Sequence, residues 1–330
     1  MTQARKFIWF FALCFCASHA TNAQAPAPPG KLVDLGGHRL HMNCTGKGHP
    51  TVVVEAGLGD FSFDWALVQS RVSRFTRICT YDRAGYAWSD PGPMPRTFAQ
   101  LNLELKDALE KVGERGPFVL VGHSFGGPVV RNFAALYPKD VVGMVLVDAA
   151  FEGQRVAIGG DKTIRLGESA RGRPIPVPRE TITNDDRPES TGESRERSLD
   201  PMYNPLPPAA QKMQVWAQSL AKTDYAEESQ REWSEEYYAK WLRTPQDGAL
   251  GNIPLVVLMR AEGGYVDDLD VPAVQLEKER KEGQVKLLQL STKGKLVTVQ
   301  SGHNMEIDAP EDVVAAIRSV VDSARAHGKM

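Results

Sequence analysis

Pro117-Phe118-Val119-Leu120-Val121-Gly122-His123-Ser124-Phe125-Gly126-Gly127-Pro128 is the stretch that decides how this 330-residue chain folds. Its first half is an apolar run of strand length. Its second half is a Gly-x-Ser-x-Gly turn, Gly122 to Gly126, and a helical pattern follows from Val129 to Tyr137. A serine hydroxyl is a poor nucleophile unless it is held exposed beside a base, and a sharp strand-to-helix turn provides that exposure. The glycines let the backbone turn without Cβ clashes. The helix that begins there directs its N-terminal amides and the positive end of its dipole at a developing oxyanion. The competing interpretation of the same letters is a glycine-rich turn whose serine caps a helix.

Outward from this turn the chain repeats one rhythm. Lys31–Leu35 and His38–Cys44 read as a hairpin across Gly36-Gly37, and Thr51–Glu55 reads as a buried strand leading into the loop Ala56-Gly57-Leu58-Gly59-Asp60. Asp64–Val72 is helical, Thr76–Tyr81 is a strand ending in Asp82-Arg83-Ala84-Gly85, and Phe98–Val112 has apolar residues at helical spacing. After the Ser124 turn comes another apolar β run, Val141–Val147, ending in Asp148. Strand alternating with helix means a mostly parallel sheet with helices on both faces. Residues 152–208 interrupt it, rich in Arg, Glu, Asp, Pro and Gly and expected to be loop-like or poorly ordered. Residues 209–243 read as helix, with Met213, Trp216 and Leu220 on one stripe and Trp233, Tyr237 and Trp241 on another. The rhythm resumes at Ile253–Met259 and Lys295–Gln300 and closes on the helix Glu311–Ala324. The expectation is one α/β domain, residues 26–330, with an insertion at about 152–250 that forms a lid over the sheet's carboxyl edge, where open α/β sheets place their sites.

A serine nucleophile needs a histidine to take its proton. Of the seven histidines, His19 falls in the N-terminal leader-like segment, His38, His41 and His49 belong to the hairpin and its turn, and His327 is in the polar tail. His123, next to the serine at a tight turn, is expected to point elsewhere. His303 remains, in the loop between the last strand and the last helix. The acid that orients it is preferred at Asp148, at a strand's carboxyl end, with Glu262, Asp267 and Asp268 after Ile253–Met259 as alternatives. The oxyanion donors are expected at the backbone N–H of Phe125 and, from the glycine-flanked loop after Thr51–Glu55, of Leu58.

The net charge of −2, with charged residues at 24%, leaves no basic patch for nucleic acid. Arg5 and Lys6 precede an apolar run, Phe7–Ala17, too short to span a membrane, and Ala23-Gln24-Ala25 offers small residues for cleavage. Residues 1–25 therefore read as a secretory signal peptide, leaving no integral membrane segment and placing the protein in the periplasm or outside the cell. Cys16 suggests lipidation, but bulky Phe15 before it suits that processing poorly. Cys44 and Cys79, each in a strand-like segment, are then expected to pair as a disulfide, the alternative being two buried thiols.

These motifs together resemble the α/β-hydrolase superfamily: Glu55-Ala56-Gly57-Leu58-Gly59-Asp60, Tyr81-Asp82-Arg83-Ala84-Gly85-Tyr86, Gly122-His123-Ser124-Phe125-Gly126-Gly127 and Gly302-His303, in the order nucleophile, acid, histidine. The resemblance implies an eight-stranded sheet with an inserted cap, and hydrolysis of a small-molecule acyl substrate through a covalent acyl-enzyme without cofactor or metal. Many members carry His-Gly where Ala56-Gly57 stands, and a Gly-x-x-Asp acid where Gly264 stands. Relatives that open epoxides or remove halides use an aspartate nucleophile, against which Ser124 argues. A carboxylic ester is the expected substrate. Amide, lactone or carbon–carbon hydrolysis and acyl transfer are the alternatives on the same machinery, and a non-catalytic ligand-binding protein is the alternative outside catalysis.

Overall fold

The computed structural model describes residues 25–157, 163–165, 179, 198–241, 246–261, 263 and 271–327. Eight strands form its main sheet: β1 (Lys31–Asp34), β2 (Arg39–Thr45), β3 (Thr51–Glu55), β4 (Ile78–Tyr81), β5 (Phe118–His123), β6 (Val141–Val147), β9 (Leu255–Arg260) and β10 (Gly294–Val299). Their order across the sheet is β1-β2-β4-β3-β5-β6-β9-β10. From β4 to β10 in that order the strands run parallel, and the β1–β2 hairpin joins antiparallel to β4. This is the fold expected from the strand–helix rhythm.

The central strands are apolar throughout because both of their faces are covered. Alternate residues of β3, β5 and β6 go to opposite sides. Val53, Leu120 and Leu146 pack with Leu105, Leu109 and Phe133, from α2 (Phe98–Lys111) and α3 (Gly126–Leu136). Val52, Val121 and Val145 pack on the other face with Val68, Val72 and Ile317, from α1 (Ala66–Val72) and α8 (Pro310–His327). A one-residue slip of any of these strands would exchange the two cores. Thr97 caps α2, its side chain accepting from the Gln100 N–H.

Three expectations are corrected. Residues 209–243 form two helices, α4 (Pro208–Gln218) and α5 (Ala221–Trp241), because Ser219 ends the first and its hydroxyl donates to the Trp216 carbonyl at 2.7 Å. The stretch from residue 152 includes a short antiparallel pair, β7 (Arg155–Ala157) and β8 (Thr163–Arg165), where only loop was expected. A further helix, α6 (Ala273–Lys286), precedes β10, followed by a short turn of helix, α7 (Met305–Asp308), after it. Residues 1–24, most of 158–197, and Glu262, Asp267 and Asp268 lie outside the described residues.

Helices α4 and α5 pack over the loops at the sheet's carboxyl edge. Trp216 packs at a tilt against Trp88 with ring centroids 5.0 Å apart, and Tyr237 meets Phe98 at 4.1 Å. Among the described residues no helix is long and apolar enough to cross a membrane.

Cys44 and Cys79 stand opposite each other in the β2–β4 ladder and are joined as a disulfide. The bond closes a loop with a sequence separation of 35. The entropy removed from the unfolded chain corresponds to about 4 kcal/mol. A Cys44→Ser/Cys79→Ser variant should therefore unfold at a clearly lower denaturant midpoint than the oxidised protein. Equal midpoints would mean that the bond contributes nothing to stability.

Candidate active site

Ser124 sits where β5 ends and α3 begins, with φ of +49°. A left-handed backbone is unfavourable for a serine, and the surrounding contacts must hold it there. Its N–H donates to Val147 O at 3.1 Å, and its carbonyl accepts from Ala150 N at 2.9 Å, so the turn is bonded to the end of β6 on both sides. A Cβ on Gly126 would lie 2.2 Å from Glu55 O, and one on Gly122 would lie 2.6 Å from Gly126 O. The two glycines of the motif are thus required by close backbone approach, which presses the start of α3 against the end of β3.

That approach brings Phe125 close to the loop Ala56–Asp60, whose Leu58 packs against the apolar cluster that contains Phe125 and Phe98. The loop is braced from beneath by Arg83. Its guanidinium donates to Ala56 O at 2.8 Å, to Gly57 O, and to the Glu55 carboxylate at 2.8 Å. In a planar trans peptide the C=O and the following N–H point in opposite directions. With Gly57 O turned to Arg83, the Leu58 N–H is turned away from it. Among the described residues, neither the Leu58 nor the Phe125 N–H donates to another protein group. A cavity of about 350 Å³ opens beside the loop, lined by Leu58, Gly59, Asp60, Tyr203 and Glu227 among others.

His303 lies in the loop between β10 and α7, half-buried, and its Nδ1 is 2.6 Å from Asp148 Oδ2. Asp148 ends β6, buried, at φ +36°, with its N–H donating to Leu258 O at 2.8 Å. Its two cationic neighbours come from segments that carry no local sign of the role. Arg260, at the end of β9, lies 2.8 Å from Oδ2, and Arg280 of α6 lies 3.5 Å from Oδ1. Burial pushes the Asp148 carboxyl up, but the His303 bond and the charges of His303, Arg260 and Arg280 outweigh it and hold the acid below its ordinary range. His303 moves the other way from most carboxylate-paired histidines. Burial, helped by the charges of His123 and Arg260, outweighs Asp148 and keeps the imidazole below 6.5. With Nδ1–H directed at Asp148, Nε2 is left as the acceptor. Ser124 makes no hydrogen bond to His303 in this geometry; such contacts are often long before a substrate is bound.

His123 is fully buried, and the sequence alone assigns it no part in the site. Its ring lies 4.8 Å from that of His303, centroid to centroid. Its Nδ1 is 2.9 Å from Asp60 Oδ2 and its Nε2 is 3.1 Å from the His303 carbonyl. Glu306, fully buried in α7, brings a carboxylate oxygen 3.8 Å from Nδ1. Asp60, His123 and Glu306 are close enough for their ligand atoms to share an ion, but both ring nitrogens are engaged in hydrogen bonds. A second close group, Cys44, Cys79 and Glu114, has its sulfurs in the disulfide. Only a structure could show this use of His123, because a neighbour in sequence of a strained turn gives no direction for its side chain.

The model of the alpha/beta hydrolase family matches residues 52–317. "Probable transporter efuK" of Hormonema carpetanum is 36% identical over 129 residues, 37% of this chain and 18% of that protein. The first curated relatives are matched over 18% to 44% of their own lengths, well under two thirds. Two solved structures show the same fold. A serine hydrolase involved in carbazole degradation (CarC) has a TM-score of 0.60 at 17% identity, covering 88% of this chain and 98% of that one. An esterase from Thermogutta terrifontis has a TM-score of 0.57 at 18% identity, covering 89% and 97%. With its eight-stranded sheet, its Ser124 turn and a family match over most of its length, this chain belongs to the alpha/beta hydrolase family.

Proposed function

We propose that this protein is a serine hydrolase that cleaves a carboxylic ester or a related acyl compound through an acyl-enzyme. The observation that carries the reading is the Nδ1–carboxylate bond of 2.6 Å between His303 and Asp148, in the loops that flank the strained turn at Ser124. Ser124 Oγ attacks the acyl carbon while His303 Nε2 takes its proton. Asp148 holds the imidazole in that tautomer and stabilises it once charged. The Phe125 and Leu58 amides receive the developing oxyanion. His303 then protonates the leaving alcohol, and water repeats the sequence to release the acid. The inserted helices α4 and α5 act as a cap that shapes the acyl pocket.

Export is part of the same proposal. Its support is the leader-like segment of residues 1–25 and the Cys44–Cys79 disulfide, a bond that persists in oxidising compartments.

A fluorophosphonate probe tests the mechanism. The wild-type protein should be labelled once, on Ser124, and the labelling rate should fall in acid. The midpoint of that fall should lie below pH 6.5, since protonating His303 removes the base and His303 is held below its ordinary value. An unlabelled wild-type protein would reject the serine-hydrolase reading.

A further inference from the structure

Two loops meet at His123, and none of the roles above uses it. The ring bonds Asp60 of the oxyanion loop, and Asp60 in turn accepts from the Gly57 N–H at 3.0 Å. On its other side the ring bonds the backbone carbonyl of His303 itself. A carbonyl and a carboxylate are both acceptors, so satisfying both requires a proton on each ring nitrogen. That is the imidazolium form.

We propose that His123 is a positioning residue: as a buried imidazolium it ties the base loop and the oxyanion loop to the end of β5, and its charge keeps His303 deprotonated. The inference rests on His303 being the general base. The groups facing His123 are Asp60 from the loop after β3, Glu306 from α7, Asp148 from the end of β6, His303 from its own loop, and the ring of Trp65. Asp64 adds a further acid behind Asp60 and Glu306. Burial disfavours the His123 charge, yet the Glu306 charge, the Asp60 bond and charge, and Asp148 outweigh it and raise the ring to about 9. The groups facing His303 are Asp148, His123 and Arg260, and both cations oppose its protonation.

Both carboxylate oxygens of Glu306 are buried with no hydrogen-bond partner. Such a carboxylate is costly unless a cation compensates it or it takes up a proton. The His123 imidazolium is that cation, and Glu306 itself is pushed up to about 7 by burial. The cluster is therefore a charge balance in which one imidazolium faces two acids beneath the catalytic loops.

The test compares the wild type with His123→Gln and His123→Phe, using a short p-nitrophenyl ester. Gln can still donate to the His303 carbonyl but carries no charge, and Phe keeps the ring shape with neither. For His123→Gln we expect kcat to fall about 10-fold with KM little changed, and the acidic limb of kcat/KM to move to higher pH as the repulsion on His303 is lost. His123→Phe should move the limb in the same direction and lose about 100-fold in kcat. A folded His123→Gln with an unmoved limb and unchanged kcat overturns the proposal. Histidine-selective ¹⁵N NMR of the unsubstituted protein decides the matter independently if the variants do not fold. At pH 7 two histidines should carry protons on both nitrogens while His303 is neutral. They are His123 and also His41, which lies likewise between the Asp82 carboxylate and the Pro29 carbonyl. A neutral His123 ring would be equally decisive against the proposal. His303→Ala separates the two readings. If it retains turnover, the base assignment itself fails; if it is inactive while His123→Gln is normal, only the role of His123 fails.

Discussion

Ser124→Ala is expected to lower kcat toward a p-nitrophenyl ester by on the order of 10⁶ and to abolish fluorophosphonate labelling, while leaving the melting temperature close to that of the wild type. The size of the loss follows from what remains. Without Oγ no acyl-enzyme can form, and only the proposed oxyanion amides and noncovalent substrate binding still favour the transition state. Stability should be spared for a local reason. The strain at φ +49° is carried by the backbone bonds to Val147 and Ala150, which alanine keeps. The serine hydroxyl makes no hydrogen bond to a described residue, so no buried partner is left behind. His303→Ala should be nearly as inactive, because residues that act as a unit fail together and not additively. Equal turnover by Ser124→Ala and wild type, measured with purified protein and a burst-free baseline, would place the nucleophile elsewhere.

The fold was legible because its signal is the one that period and length carry best. β3, β5 and β6 contain continuous apolar runs of strand length, and their boundaries in the structure fall within two residues of those read from the sequence. Helix α6 was not legible, and its buried face explains why. The residues it turns inward include Arg280, Gly283 and Gln284 beside Leu276. Gln284 donates to Ala149 O at 2.7 Å, Arg280 faces Asp148, and Gly283 leaves room for the Phe151 ring. A helix that packs through polar groups shows no apolar stripe, so periodicity passes over it. The same difficulty hides the electrostatics of the site. Of the proposed triad, Ser124 and His303 can be named from their places at strand ends, because the chemistry restricts which residue types can serve there. Asp148 is only the preferred one of four candidate acids, with Glu262, Asp267 and Asp268. The groups that tune them come from distant segments: Arg260 and Arg280 on Asp148, Arg83 under the oxyanion loop, Asp60 and Glu306 around His123. Arg83 was visible as part of Asp82-Arg83-Ala84-Gly85-Tyr86, but nothing local shows that its guanidinium reaches two carbonyls more than twenty residues upstream.

Asp148→Asn separates the orienting role of the acid from its charge. An asparagine can turn its amide NH₂ toward His303 Nδ1, which then becomes an acceptor and leaves the proton on Nε2. That tautomer cannot take a proton from Ser124, and the same change in the triad template costs about 10⁴ in kcat. A loss of that order is expected here. The substitution should also destabilise the fold, unlike Ser124→Ala. Asp148 is the buried anion between Arg260 at 2.8 Å and Arg280 at 3.5 Å, and Arg280 is itself almost fully buried. Removing one member of a buried ion pair leaves a charge without compensation, at a typical cost of about 3–5 kcal/mol. Arg280 retains Glu277 at 2.7 Å, which places the expected loss at the lower end of that range. Kinetics must therefore be read well below the variant's melting temperature, so that inactive and unfolded protein are told apart. If folded Asp148→Asn keeps wild-type kcat, the acid is not Asp148. Alanine at Glu262, Asp267 and Asp268, one at a time, would then identify the carboxylate that His303 uses, and the 2.6 Å contact would belong to a structural ion cluster at the end of β6.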